Sequence, residues 1–274
     1  MSVASPELSV VVLCYRAESE TAAVVLPLHA LLEERGVDFE LILVANTWPF
    51  DDDSTPAAAA DLARRLPRVS VVARDKEGGM GWDLQSGFRA ARGAYLVFVD
   101  GDGQVPVGYV LEVYDRLRAG TAELVKGRRQ GRQDGLVRVV NSFAYNLLFR
   151  ALFHTNGVWD INGRPKGLTR SALEQLDLQA DDWWIDAEIV LKSIALGLRI
   201  SEIPVRFLCL ESRPSFVGPG TVWEFLVNMA RWRLGRHPVQ VGGSISPAGR
   251  APRSAPRVRR ARSRRRRARG TWAD

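Results

Sequence analysis

Four apolar runs recur in the first hundred residues, Leu8–Cys14, Phe39–Val44, Val69–Ala73 and Ala94–Val99, with helical patterns between them. The intervening segments Glu20–Arg35, Ala57–Leu66 and Gly81–Arg92 repeat apolar residues at helical spacing, and Pro27 is expected to kink the first or delay its start. Near-continuous apolar strands alternating with helices restrict such a chain to α/β architecture, a parallel sheet covered on both faces.

The second half is less regular. Gly108–Ala119 reads as a helix, Glu123–Val125 as a short strand and Arg128–Gly135 as a polar loop. Val139–His154 reads as an amphipathic helix, Ser171–Leu176 and Ile185–Leu196 as helices, Arg199–Phe207 as a strand and Val222–Arg233 as a last amphipathic helix. From Gly242 the chain turns to Gly, Ser, Pro, Ala and Arg, which cannot build a core. One folded domain over residues 1–240 and a disordered Arg-rich tail over 241–274 are therefore expected.

The net charge of +7 belongs to that tail. Residues 250–274 hold 11 Arg and one Asp, which leaves 27 basic and 30 acidic side chains in residues 1–249, a net of −3. Cys14 and Cys209 sit in apolar surroundings and predict buried thiols, not a disulfide framework, and His29, His154 and His237 lack metal-ligand spacing. Met1–Leu8 does not read as a signal peptide, and no apolar run reaches the roughly 18–20 residues of a membrane span. A cytoplasmic chain is expected.

The chemistry centres on Asp100-Gly-Asp102-Gly-Gln104, directly after the fourth apolar run. Two carboxylates and an amide at alternate positions gather hard oxygen donors where a buried strand meets solvent. That set suits Mg²⁺ or Mn²⁺ carrying a diphosphate, because these ions take oxygen ligands and keep positions open for phosphate. Open α/β sheets bind ligands at the carboxyl ends of their strands.

With Gly79, Gly81, Ala91-Arg-Gly93 and Pro106 around it, this segment resembles the N-x-G-x-G, A-x-G and D-x-D-x-Q-x-P elements of family 2 GT-A glycosyltransferases, in the dolichol-phosphate mannosyltransferase branch. The resemblance spans about residues 8–215. It implies a GT-A Rossmann-like nucleotide-sugar-binding fold with a mostly parallel sheet flanked by helices. Asp102 and Gln104 would then coordinate the metal, and Asp100 would reach it through water or hold the donor ribose. Tyr15 and Glu18 match the family's first-strand element, and Gly79 and Gly81 its donor-side glycines. Asn46 is the one side chain at the end of the second strand suited to reading the base. Asp51–Asp53 either cap the next helix or form an ordinary acidic loop.

The resemblance places the acceptor side later in the chain. Arg128 and Arg129 lie at the family's G-S-R element and would hold either the acceptor phosphate or the donor diphosphate, since guanidinium forks pair with phosphate. Asp160, Asn162 and Lys166 lie at its D-x-x-S-G-F-R element, Asp186 and Glu188 at its F-D-x-E element, and Arg206, Arg213 and Ser215 in its closing segments. Asp100, Asp102, Arg129 and Asp186 are the expected catalytic set. An acceptor that is already an anionic phosphate needs no strong base, whereas a hydroxyl acceptor needs a carboxylate, for which Asp186 or Asp160 is the candidate.

The implied activity is inverting, metal-dependent transfer of a sugar from GDP-mannose or a UDP-sugar to a polyprenyl or dolichyl phosphate. A soluble small-molecule or glycan hydroxyl acceptor is the alternative within the class. A nucleotidyltransferase or a non-catalytic nucleotide-sugar-binding protein is the alternative outside it. The segments 139–154 and 222–233 and the Arg-rich tail suit an anionic membrane surface, which implies a peripheral position on its inner face. Nucleic acid is the weaker partner for the tail, which lacks interleaved aromatic residues.

Overall fold

The computed structural model describes residues 5–130, 136–155, 157–208 and 219–234. Their elements are β1 (Leu8–Leu13), α1 (Glu18–Glu34), β2 (Phe39–Val44), α2 (Thr55–Arg65), β3 (Val69–Val72), α3 (Met80–Ala90), β4 (Tyr95–Asp100), α4 (Gly108–Arg118), β5 (Leu124–Gln130), α5 (Leu136–Phe153), β6 (Lys166–Thr169), α6 (Arg170–Leu176), α7 (Ile185–Ala195), β7 (Ile200–Arg206) and α8 (Pro219–Arg233). Cys209, Arg213, Ser215, His237 and the Arg-rich segment lie outside the described residues, as does any test of a boundary at residue 240.

The strands form one sheet in the order β3-β2-β1-β4-β6-β5-β7. The β1–β2, β1–β4, β2–β3 and β5–β7 pairs are parallel, and only β6 runs against its neighbours β4 and β5. The carboxyl ends of the other six strands therefore share one edge of the sheet, where β6 begins. Strand order reverses between β1 and β4, opening the crevice in which such sheets bind ligands.

Side-chain alternation explains the double burial. Val10, Val12, Leu41, Leu43, Val97 and Val99 belong to one core with Leu28, Leu32 and Tyr114 from the helices. Val11, Ile42, Val44, Leu96 and Phe98 belong to the other, with Leu84, Phe88, Trp184 and Ile189. Successive residues point to opposite faces, so a strand apolar throughout must be covered twice.

Three sequence expectations change here. Helix α1 runs through Pro27, which lies exposed on the solvent side, where water can satisfy the carbonyl its ring frees. Strand β5 continues to Gln130 because β7 pairs with it as far as Gln130↔Arg206, so Arg128 and Arg129 lie on a strand and not in a loop. The four-residue β6 has no periodic signature of its own; its place is fixed by β4 and β5. Among the described residues no helix is long and apolar enough to cross a membrane. Cys14 is buried, as expected, and its thiol donates to the Val12 carbonyl.

Candidate active site

The crevice edge collects most of the residues singled out in the sequence. Asp100 ends β4, and the turn after it is held by the Gln104 amide donating to Asp102 Oδ1 at 3.1 Å. The Leu208 amide, just past β7, donates to the Gln104 carbonyl at 2.8 Å and ties the far side of the sheet to this turn. Asp100, Asp102 and Gln104 are all partly exposed, so their oxygens are accessible from the crevice. Tyr15 stands at the end of β1, with the Lys76 ammonium 4.4 Å from its ring centroid and burial raising its hydroxyl pKa. Exposed Glu18 opens α1 at the rim of a shallow depression shared with Arg16 and Asp51–Ser54. Asp53 accepts the Thr55 amide at 3.0 Å at the start of α2, the capping role allowed for these acids, while Asp51 grips Arg16.

Several expected ligand-binding groups have internal partners instead. The Asn46 amide donates to Asp83 Oδ1 at 2.9 Å and Ser86 Oγ at 3.1 Å, and its oxygen accepts from the Arg74 amide at 2.9 Å. Fully engaged and 1% exposed, it fixes α3 to the ends of β2 and β3. Asp83, unforeseen in the sequence, also pairs with the buried Lys76.

Gly79 and Gly81 are packing positions. Their amides donate to the carbonyls of Asp181 and Asp182 at 2.7 and 3.0 Å, so backbone already caps the start of α3. A Cβ on Gly81 would lie 2.3 Å from the Ala180 carbonyl oxygen. Gly81→Ala should displace the 180–182 segment and lower stability by about 2 kcal/mol or more, measurable by thermal melting. Glu188 supports the same segment: it is buried, accepts from the Gln179 and Ala180 amides, and pairs with Lys192 at 2.7 Å.

Arg129, Asp160, Lys166 and Asp186 of the expected acceptor side are held in buried or half-buried ion pairs. Arg129 forks onto Asp160 with contacts of 2.8 and 2.7 Å, and its amide adds a third at 3.0 Å. Lys126 pairs with Glu202 at 2.8 Å, and Glu202 in turn accepts the Trp159 and Asp160 amides. Burial alone would raise the Asp160 pKa, but the Arg129 and Lys126 charges outweigh it and hold the carboxyl far below its usual range. A native pKa below the unfolded value of about 3.9 gives stabilisation that is complete above about pH 4 and is lost as pH falls through the native value. Asp160→Asn should therefore lower stability at neutral pH and flatten its decline between about pH 4 and pH 2, followed by circular dichroism.

At the centre lies Arg164, which was not among the expected site residues. It is 4% exposed, its Nη1 donates to Asp186, its Nε lies 3.5 Å from Asp100 Oδ1, and its guanidinium sits 4.7 Å from the Phe98 ring centroid. The Asp100 contact is ionic, since Nε makes no hydrogen bond. Lys166, also buried, donates to Asp186 and to the Ile161 carbonyl. Burial would raise the Asp186 pKa; Arg164 and Lys166 overcome it and keep the carboxyl below its ordinary value. Asp186 and Asp160 are thus ionised, cation-bound carboxylates, poorly suited as bases. Asn162, two residues after Asp160, has a buried side-chain oxygen that no group among the described residues hydrogen-bonds. Exposed Arg128 stacks on Trp159, and exposed Arg206 ends β7, its amide bonded to the Tyr109 hydroxyl. Nothing local in the sequence marks Arg164, whose role depends on β4, β6 and α7 meeting around it.

The sequence model described as Glycosyl transferase family 2 matches residues 9–176. The chain is 32% identical over 160 residues to the glycosyltransferase AglD of Haloferax volcanii, an alignment covering 56% of this chain and 26% of that protein. It is 29% identical over 198 residues to the undecaprenyl-phosphate mannosyltransferase of Micrococcus luteus, covering 67% of this chain and 80% of that one. Among solved structures, the UDP complex of glucosyl-3-phosphoglycerate synthase from Mycobacterium tuberculosis superposes with a TM-score of 0.66 at 21% identity, covering 84% of this chain and 80% of that one. The complex of the same synthase with Mn²⁺, UDP and glucosyl-3-phosphoglycerate gives 0.64 at 21% identity, with the same coverage. At that identity the likeness is one of fold.

Proposed function

The chain belongs to glycosyl transferase family 2, and from that premise we propose that it transfers a sugar from a nucleoside diphosphate sugar to a phosphate-bearing acceptor. The observation that carries this reading is the Asp100–Gln104 turn at the crevice between β1 and β4. Asp102, Gln104 and Asp100 offer hard oxygen donors that fit Mg²⁺ or Mn²⁺. Among the described residues they are not joined by a third acidic, His or Cys side chain, which suits an ion whose remaining ligands come from phosphate and water. Such an ion supplies positive charge to the departing diphosphate. Mn²⁺ and UDP bound to the M. tuberculosis synthase support the same donor chemistry.

Asp160 and Asp186 favour an acceptor that arrives ionised. Both are held as carboxylates by neighbouring cations, so deprotonation of a hydroxyl finds little help from either. A lipid phosphate needs no such help, and the likeness to undecaprenyl-phosphate mannosyltransferase supports that acceptor. Arg164 holds Asp100 and Asp186 in fixed relation, while Arg128 and Arg206 present charge at the same edge. The Arg-rich segment 250–274 would add attraction to anionic lipid headgroups. A second reading, a soluble phosphorylated acceptor, is favoured by the glucosyl-3-phosphoglycerate bound to the M. tuberculosis synthase.

The test is turnover of a GDP- and UDP-sugar panel with Mn²⁺ or Mg²⁺, with a polyprenyl phosphate, phosphoglycerate or neither. Nucleoside diphosphate release stimulated by the lipid phosphate and abolished by EDTA is expected. Stimulation by phosphoglycerate alone would transfer the assignment to the second reading, and no turnover with any pair would refute both.

A further inference from the structure

Two cations of the buried cluster share one carboxylate oxygen. Arg164 Nη1 and Lys166 Nζ both donate to Asp186 Oδ1, so that carboxylate answers only one of the two charges. The neighbouring ions are already matched, Arg129 by Asp160 and Lys126 by Glu202. The second negative charge comes from Asp100, whose Oδ1 lies 3.5 Å from Arg164 Nε. Asp100 is therefore at once the counter-ion of the buried cluster and the first residue of the crevice turn, its side chain 37% exposed against 5% for Arg164.

The guanidinium is pinned where it stands. It lies 4.7 Å from the Phe98 ring centroid, Nη2 donates to Met80 Sδ at 3.3 Å, and Nη1 is taken by Asp186. Burial leaves its charge poorly screened, so its field reaches the neighbouring Asp100–Gln104 turn. That field has opposite signs for the two things the turn would hold. A bare divalent cation meets repulsion and finds Asp100 already committed to Arg164. A diphosphate meets attraction, and arriving with the ion it brings negative charge to replace what Asp100 gives up.

We infer that Arg164 is a positioning residue that makes the turn favour a divalent cation arriving with a nucleoside diphosphate over the bare cation. It acts through Asp100 and through its own buried charge. This rests on the donor reading above and adds a coupling to it. Cation and nucleotide each strengthen the other's binding by the same factor, as linkage requires, and Arg164 supplies a large part of that factor. The consequence for turnover is a turn that does not retain its ion once the nucleoside diphosphate has left.

The test follows Mn²⁺ binding to the full chain by loss of the free-ion paramagnetic resonance signal, without nucleotide and with saturating UDP or GDP. Wild type should bind Mn²⁺ weakly alone and more tightly with a nucleotide. In Arg164→Gln the bare ion should bind about tenfold tighter, because one repelling charge is gone. Binding with nucleotide should gain nothing, so the coupling falls by the same factor. Arg164→Lys keeps the charge and should keep most of the coupling. Arg164→Met, able to lie against Phe98 and Met80, gives the same reading should the glutamine variant fail to fold, and melting curves check both. A merely structural role has the opposite sign. Bare Mn²⁺ binding that is unchanged or weaker in the neutral variants would therefore overturn the inference, and so would equal tightening in Arg164→Lys. Coupling that is present in wild type and survives in the neutral variants removes the role of Arg164 and leaves the donor reading standing. Mn²⁺ binding that no nucleotide strengthens in wild type refutes both.

Discussion

Asp102→Ala should reduce sugar transfer by about a thousandfold while leaving the fold intact. The side chain lies in a partly exposed turn at the end of β4, outside both cores, so its removal creates no cavity. What it loses is a carboxylate at the point where the diphosphate and its ion would sit. Asp102 also accepts the Gln104 amide, so alanine loosens the turn as well as removing the charge. Asp102→Asn separates these effects, because its side-chain oxygen keeps the turn bond and only the charge goes. Asparagine should be nearly as inactive as alanine, with both melting close to wild type. Wild-type turnover in Asp102→Asn would reduce the residue to a turn former.

The largest effect on stability is expected from Asp186→Ala. Removing this carboxylate leaves Arg164 and Lys166 buried against each other, with Asp100 at 3.5 Å the remaining counter-charge to Arg164. Breaking a buried pair by deleting one partner typically costs about 3–5 kcal/mol, because the stranded ion loses both water and its counter-ion. For a domain of this size that lowers the melting temperature by about 10 °C. Adding Lys166→Met to Asp186→Ala should recover part of the loss, since one stranded cation is then gone. Melting curves of the wild type, both single variants and the double variant measure that coupling. Strictly additive losses would mean that Lys166 and Asp186 do not stabilise each other.

The part of the fold legible in the sequence was the part written locally. Each strand from β1 to β4 is a short apolar run between turn residues, so their pattern alone implied a covered parallel sheet. The Asp100–Gln104 turn was legible for the same reason, as oxygen donors where such a run ends. Strand β6 and the length of β5 depend on partners 30 or more residues away in the chain, and nothing within Lys166–Thr169 announces pairing. Side-chain partnership was equally hidden. Asn46 stood in the expected place for reading a base, but Asp83 and Ser86, brought beside it by α3, use its amide. Gly79 and Gly81 stood among the donor-side positions, yet the segment 180–182, a hundred residues later, covers their amides. Arg164 was invisible because its role exists only where β4, β6 and α7 converge.

Binding of UDP and GDP to the purified chain, titrated by calorimetry with Mn²⁺ and again with EDTA, tests the central claim most directly. Binding of at least one nucleotide that requires the metal and disappears in Asp102→Asn is the predicted result. Equal binding with EDTA, or none under either condition, would contradict the assignment of the Asp100–Gln104 turn as the donor's metal-diphosphate site.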